Sequence, residues 1–419
     1  MTTIDTANTP AAEEHYDLII IGTGSGNSIP SPEFDDQKIA IIEKGTFGGT
    51  CLNVGCIPTK MYVYAADIAV AARGAGRLGL DAQVNSVDWG SIVDRVFTNR
   101  IDQIAKGGEQ YRRGEETPNI TVFDEHARFI GPKTIQTGEH VITGEQIVIA
   151  AGSRPVIPEV YAKSGVKYYT NEDIMRMDHQ PQSLIVVGGG YIAMEFAHVF
   201  DGLGTKVTVV NRSETLLRHL DDDLSSRFNQ IARDRFDVRI ANGTQLEKTD
   251  KGVRLELDDG TSIEAEAILV ATGRTPNGDQ MDVDKAGIEL LADGRVKTDE
   301  FGRTTAEGVW ALGDVSSPYM LKHVANAEMR SVQHNLLHPE DLRPLPHDNV
   351  PAAVFTHPQI ATVGRTEKQA REEGFDVTVK VQNFGDVAYG WAMEDTTGFC
   401  KVIADRSTGE ILGAHIIGP

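Results

Sequence analysis

The chain has 419 residues, with 61 Asp plus Glu against 40 Lys plus Arg and a formal net charge of −21. That length allows two to four domains around a large core, and that charge opposes a non-specific nucleic-acid surface. Because the negative charge is spread along the chain, it reads mainly as solubility.

Residues 1–14 are polar and acidic. They lack the basic and apolar regions of a signal peptide and are expected to form a disordered arm. No apolar run reaches the ~18 residues of a membrane helix. The expectation is a soluble cytoplasmic protein with neither nucleic acid nor membrane among its partners.

The first ordered element is the apolar run 17–21, which ends in Gly22-Thr23-Gly24-Ser25-Gly26. It reads as a buried parallel strand opening into a glycine turn. The first glycine permits the tight turn and the second lets the backbone approach a pyrophosphate. The helix that follows would offer free N–H groups and a positive dipole end. Asn27 stands where a third glycine is usual, and Pro30 and Pro32 follow closely. That helix must therefore be short or irregular, since interior proline costs ~3 kcal/mol. The next strand, 38–42, leads into Glu43, placed where an acid can bind a ribose hydroxyl pair.

Cys51 and Cys56 sit in the run Gly48-Gly49-Thr50-Cys51-Leu52-Asn53-Val54-Gly55-Cys56-Ile57-Pro58-Thr59-Lys60, and the only other cysteine is Cys400. A plant-type iron–sulfur site would need four thiolates. A zinc site would need a second ligand pair at the proper spacing, and none follows. A structural disulfide is disfavoured in a chain without a secretory signature. A redox-active pair is the preferred reading, and no metal site is expected. Residues 61–75 read as a helix entered through Pro58.

Residues 146–151 form a further strand ending in Gly152-Ser153-Arg154-Pro155. The pattern then repeats. Strand 183–187 opens into Gly188-Gly189-Gly190-Tyr191, and strand 267–272 ends in Gly273-Arg274-Thr275-Pro276-Asn277. In this second unit strand 206–210 ends in Asn211-Arg212 with no acid, and Arg218 follows. Two arginines suit a 2′-phosphate, where Glu or Asp would repel it. NADPH is therefore preferred to NADH; the competing reading leaves both arginines facing solvent. Residues 336–349, with three prolines, read as a linker. Residues 350–419, with alternating runs at 376–381 and 398–403, read as a third, α+β domain. Cys400, in the second run, is expected to be a buried core residue.

In combination Gly22-x-Gly24, residues 48–60, 151–155, 188–195 and 272–277, Ala311-Leu312-Gly313-Asp314-Val315 and Phe355-Thr356-His357-Pro358 resemble the class I pyridine nucleotide-disulfide oxidoreductases. These are flavoproteins of the glutathione reductase and lipoamide dehydrogenase type. The resemblance runs from Tyr16 to the end of the chain. It implies an α/β fold with two Rossmann-like domains and a C-terminal α+β dimerisation domain, a homodimer, and FAD and NADPH as cofactors. The implied divisions are 15–152 and 276–345 for FAD, 153–275 for NADPH and 346–419 for the interface. Asn27, the shortened segment before Lys38 and the runs 60–66 and 322–328 are most similar to members that reduce mycothiol disulfide. Glutathione, lipoamide and mercuric ion are the alternative substrates. A flavin-binding redox module without disulfide turnover is the alternative from another class.

By the same resemblance Cys56 lies nearer the flavin and Cys51 attacks the substrate, as thiolates. A helix dipole would favour the Cys56 thiolate. Lys60 corresponds to a lysine beside the flavin that pairs with a glutamate, here Glu195. Tyr191 corresponds to a ring gating the nicotinamide pocket. The flavin nucleotide would be held by Gly22, Gly24, Ser25, Gly26, Glu43, Gly49, Thr50, Lys60, Gly152, Ser153, Asp314, Met320 and His323. The nicotinamide nucleotide would be held by Gly188, Gly190, Tyr191, Ile192, Arg212, Arg218 and Gly273. The competing readings are a solvated Lys60, a packing Tyr191 and Asp314 as a helix N-cap. The family also carries a His–Glu acid–base pair near its C-terminus, and this sequence reaches Pro419 before that motif. As it stands, the interface domain is expected to be truncated and disulfide turnover slow, since no other residue is a convincing proton donor; full turnover would make His323 and His415 the first to test.

Overall fold

The computed structural model describes residues 12–419. They fall into two compact units, one of residues 12–58, 97–154 and 274–347 and one of residues 59–96, 155–273 and 348–419.

In the first unit, strand Glu14–Ile21 pairs in parallel with Ile39–Ile42 on one side and His140–Ile149 on the other. Ile120–Phe123 extends the parallel part, and Val309–Ala311 also runs parallel to His140–Ile149. Two antiparallel strands, Thr134–Thr137 and Ala127–Gly131, complete the sheet. Successive residues point to opposite faces, and both faces are covered. Ile19, Ile21, Ala40 and Ile42 enter one core; Leu18, Ile20, Ile39 and Ile41 enter the other. That double burial makes the strands continuously apolar. The first strand begins at Glu14, and the Glu13 N–H donates to the Val141 carbonyl at 2.8 Å. The end of the expected arm is thus ordered, and its residues 1–11 lie outside the described residues.

The crossover after the first glycine turn consists of two single 3-10 turns, Gly26–Ser28 and Pro32–Phe34. The irregularity expected from Asn27, Pro30 and Pro32 is present, and the helix dipole expected behind the turn is not. The buried Arg112 takes the place of helical hydrogen bonding: its Nε donates to Asn27 Oδ1 at 3.0 Å and its Nη2 to the Asn27 carbonyl at 2.7 Å.

In the second unit, Asp237–Ile240, Lys206–Asn211, Ser183–Val187 and Ala267–Val270 form a parallel sheet in that order. Here a regular 12-residue helix, Tyr191–Gly202, follows the glycine turn. The two turns share one device. A Cβ at Gly22 would lie 2.4 Å from the Ala150 carbonyl oxygen, and one at Gly188 would lie 2.2 Å from that of Ala271. With φ at 102° and 130°, both positions require glycine.

The second unit also holds a three-stranded antiparallel sheet over residues 243–265 and a five-stranded antiparallel sheet over residues 352–418. In strand Phe399–Asp405 burial alternates, with Phe399, Lys401 and Ile403 inward and Cys400 half-exposed. The expectation of a buried Cys400 fails because the period-two register gives the inward position to its neighbour Lys401. Lys401 is 2 % exposed and its ammonium lies 2.8 Å from Asp221, 2.7 Å from Asp223 and 2.8 Å from Glu367. Burial alone would lower its pKa, but the hydrogen bonds to these carboxylates outweigh it and raise the net value. Burial pushes the Asp221 carboxyl up, and the hydrogen bonds from Lys401 and the Glu367 N–H more than reverse this. Among the described residues no helix is long and apolar enough to cross a membrane.

Lys401→Met should therefore destabilise the protein by about 3–5 kcal/mol, because it strands the 1 % exposed Asp221 charge. Equilibrium urea unfolding checks this. The sign with pH follows from the shifts. Asp221, held low, contributes above its unfolded pKa and loses that contribution as pH falls through its folded one. Lys401, held high, contributes below its unfolded pKa and loses that contribution as pH rises through its folded one. The wild-type advantage over Lys401→Met should accordingly be fully present near neutrality and shrink in acid.

Candidate active site

The sequence-predicted site residues divide into two sets, one in each unit. The first holds Cys51, Cys56 and the expected flavin contacts other than Lys60. Cys51 lies within the five-residue helix Gly49–Asn53, and Cys56 is the first residue of the helix Cys56–Gly74. The chain doubles back between them at Gly55. A Cβ there would stand 2.9 Å from the Thr50 carbonyl oxygen and 3.4 Å from the Cys51 Cα. Without a side chain at this corner, Cys56 can be folded back toward Cys51. Both cysteines are half-buried. Asn53, buried and not singled out by the sequence reading, ties the preceding loop by donating to the carbonyls of Thr46, Phe47 and Gly49 at 3.2, 2.9 and 3.1 Å.

This short helix is laid against the first glycine turn: a Cβ on Gly49 would lie 2.6 Å from the Gly24 Cα. Thr50 is exposed beside it, and a Cβ on Gly24 would meet nothing within 4 Å, so the turn faces open space. Gly26 is packed too tightly against Ala150 and Ile20 for a side chain. Glu43 accepts from the Thr23 N–H at 2.9 Å and hydroxyl at 2.6 Å, and through its other oxygen from the Gly45 N–H at 2.9 Å. Ser153 donates to Asp314 Oδ2 at 2.6 Å and accepts from Arg274 Nε at 2.8 Å. Gly152, at φ 65°, also faces open space. Asp314 lies in the 3-10 turn Gly313–Val315, so it is not the cap of the helix Lys322–Leu337. Met320 is half-buried just before that helix and His323 is exposed in its first turn. The open glycine turn, Glu43 and the Ser153–Asp314–Arg274 cluster together fit a dinucleotide such as FAD.

Ser25 is 6 % exposed, and it donates to Asn326 Oδ1 and accepts from Lys322 Nζ, both at 2.9 Å. Lys322 and Asn326 were quoted in the sequence only as part of a run. Nothing local marks their role, since their partner lies about 300 positions away.

The second set holds Lys60, Glu195 and the expected nicotinamide-nucleotide contacts. The Lys60 ammonium lies 4.3 Å over the Phe355 ring, and the Phe355 N–H donates to Glu195 Oε1 at 3.0 Å. Phe355 thus touches both residues of the expected pair, its ring taking the cation of the exposed Lys60. Gly190 caps the helix Tyr191–Gly202 and has no atom within 4 Å of its Cβ position. The N–H groups at that helix start can therefore reach a phosphate. Tyr191 is 39 % exposed at the same helix start, with Ile192 half-buried behind it. Gly273, at φ 137°, is equally open. Arg212 and Arg218 are exposed, and the loop carrying Arg218 is pinned to the glycine turn by the Leu217 N–H, which donates to the Gly189 carbonyl at 2.7 Å.

Of the substitute proton donors, His415 is excluded. It is fully buried between Thr362 Oγ1 and the Arg365 carbonyl, so both ring nitrogens are occupied.

Residues 16–330 match the pyridine nucleotide-disulphide oxidoreductase family, and residues 350–419 match its dimerisation domain. Mycothione reductase of Mycobacterium tuberculosis H37Rv is 54% identical over 418 residues, covering 97% of this chain and 90% of that protein. Mercuric reductase of Staphylococcus aureus is 32% identical, covering 96% of this chain and 74% of that protein. Glutathione reductase of Burkholderia cepacia is 31% identical, covering 96% and 89%. The copper(II) complex of the HOCl-induced flavoprotein disulfide reductase RclA from Escherichia coli superposes with a TM-score of 0.84 at 28% identity, covering 96% of this chain and 89% of that one.

Gly55→Ala should push the two cysteines apart at an overpacking cost of about 1–3 kcal/mol, felt most in the disulfide state. The pair should become easier to reduce by roughly 20–60 mV. Equilibration in dithiothreitol redox buffers, read by thiol alkylation, measures the shift.

Proposed function

The chain belongs to the pyridine nucleotide-disulphide oxidoreductase family, and from that premise we propose that it reduces the disulfide of mycothiol with NADPH. Members of this family are enzymes that work with FAD and a nicotinamide nucleotide. Bound FAD would supply the two-electron link between the nicotinamide nucleotide and a protein disulfide. The observation that carries the reading is the Cys51–Gly55–Cys56 corner laid against the Gly24 turn. It supports a dithiol built beside a dinucleotide-binding turn.

In this reading Cys51 attacks one sulfur of the substrate disulfide, forms a mixed disulfide and releases the first thiol. Cys56 then displaces the second thiol and restores the Cys51–Cys56 bond. Lys60 and Glu195, both touching Phe355, place a cation one helical turn beyond Cys56. Tyr191, exposed at the mouth of the second glycine turn, is the movable cover of the nicotinamide pocket. The choice of mycothiol disulfide is supported by the 54% identity to the mycobacterial mycothione reductase, well above that to the glutathione and mercuric reductases. The dimerisation-domain match over residues 350–419 supports a homodimer. Dependence on NADPH supports a cytoplasmic location.

The test is a pair of serine variants of the flavin-loaded protein. Cys51→Ser should show a long-wavelength thiolate–flavin band without added reductant, since Cys56 then remains a thiolate. Cys56→Ser should lack it. A band retained in Cys56→Ser would reverse the two roles, and faster turnover of glutathione disulfide, lipoamide or mercuric ion than of mycothiol disulfide would refute the substrate.

The nucleotide preference rests on Arg212 and Arg218. Replacing either by a neutral residue should raise the KM for NADPH at least about tenfold and that for NADH little. Steady-state kinetics with both nucleotides decides it, and equal losses would mean that neither arginine reads the 2′-phosphate.

A further inference from the structure

Lys322 breaks a local rule. It is the first residue of the helix Lys322–Leu337, where the dipole is positive, and the first turn of that helix contains no acid. A cation at this position is unfavourable by the dipole argument, and burial adds to the cost. Burial pushes the Lys322 ammonium below its ordinary pKa, while Cys51, Cys56 and Asp314 draw it back up. Local rules broken in this way are expected where function compensates.

The geometry shows what the cation serves. Lys322 Nζ is held on Ser25 Oγ at 2.9 Å, and Ser25 is itself oriented by donating to Asn326 at 2.9 Å. Ser25 follows Gly24, against whose backbone the Cys51 helix is packed through Gly49. The ammonium is thus fixed on the turn that supports the Cys51 helix, within electrostatic reach of Cys51, of Cys56 at the start of the next helix and of Asp314 on the 3-10 turn. His323, next along the same helix, is exposed.

We propose that Lys322, seated by Ser25 and Asn326, is a positioning residue whose ammonium is the counter-charge for the thiolate of the reduced Cys51–Cys56 pair. Two electrons and one proton break the sulfur–sulfur bond and leave one thiol and one thiolate. The disulfide carries no charge, so the new negative charge appears only on reduction. A fixed cation beside it favours the reduced state and the reactive thiolate together. The proposal rests on the reading of Cys51 and Cys56 as the redox pair.

The test uses the flavin-loaded full chain as wild type, Lys322→Met and Lys322→Arg. Each is reduced by two electrons and titrated with pH, following both the long-wavelength thiolate absorbance and the rate of iodoacetamide alkylation. In Lys322→Met both pH midpoints should rise by about one unit, a tenfold loss of thiolate at fixed pH. Lys322→Arg should restore most of that shift. FAD retention on gel filtration should be similar in all three. Unchanged midpoints in Lys322→Met overturn the proposal while leaving the redox pair intact. Loss of FAD without a midpoint shift assigns Lys322 to cofactor holding and overturns it as well. A wild type with no titrating thiolate by either readout refutes the redox pair itself, and the proposal with it.

Discussion

The site depends on backbone coming closer to backbone than any side chain permits. Gly49 meets Gly24 and Gly55 meets Thr50 at separations where a Cβ would stand under 3.0 Å from its neighbour. The cysteines are therefore carried on helices, Cys51 on a short packed one and Cys56 at the start of the 19-residue helix Cys56–Gly74, rather than on a free loop. Asn53 closes the arrangement from inside with three hydrogen bonds to the preceding loop. Such packing transmits small shifts directly into sulfur–sulfur geometry, because a close-packed corner has no slack to absorb them.

What was legible in the sequence was what depends on near neighbours. The parallel strands showed because both sheet faces are buried, which makes Leu18 to Ile21 continuously apolar. The two nucleotide turns showed because Gly22 and Gly188 meet the same obstacle, the carbonyl of the residue just past the neighbouring strand. Asn27, Pro30 and Pro32 announced an irregular crossover for a local reason. Its remedy, Arg112, lies 85 positions away and had no local signature. Lys401 and Asp221, 180 positions apart, were missed in the same way, and Cys400 was misplaced because the partner that makes Lys401 the inward residue could not be seen. The Ser25–Lys322 contact spans 297 positions. Periodicity and spacing report pattern along the chain. Polar networks are set by which distant segments the sheet brings together.

The two nucleotide units solve one problem in two ways. Each carries an open glycine turn at the end of a buried strand. The second backs it with the regular helix Tyr191–Gly202, whose N-terminal end supplies positive potential. The first has only two 3-10 turns behind its glycines, so a macrodipole of the usual size is missing there. The polar side chains around that turn are instead fixed by discrete hydrogen bonds, Lys322 on Ser25, and Arg274 on Ser153 beside Asp314.

A cation fixed in place matters more in a chain with a net charge of −21. The summed field of such a protein repels phosphates and thiolates alike. Salt screens that repulsion beyond roughly 8 Å at physiological ionic strength, which leaves the decision to the cations inside that radius. Arg212 and Arg218 at the second turn are exposed, so they can meet an arriving anion but are themselves screened. Lys322 is half-buried and hydrogen-bonded in place, so its charge is screened less and acts over a shorter, fixed geometry. A surface arginine suits the capture of a diffusing nucleotide. A partly desolvated lysine suits a negative charge that is created in place and removed again within each turnover.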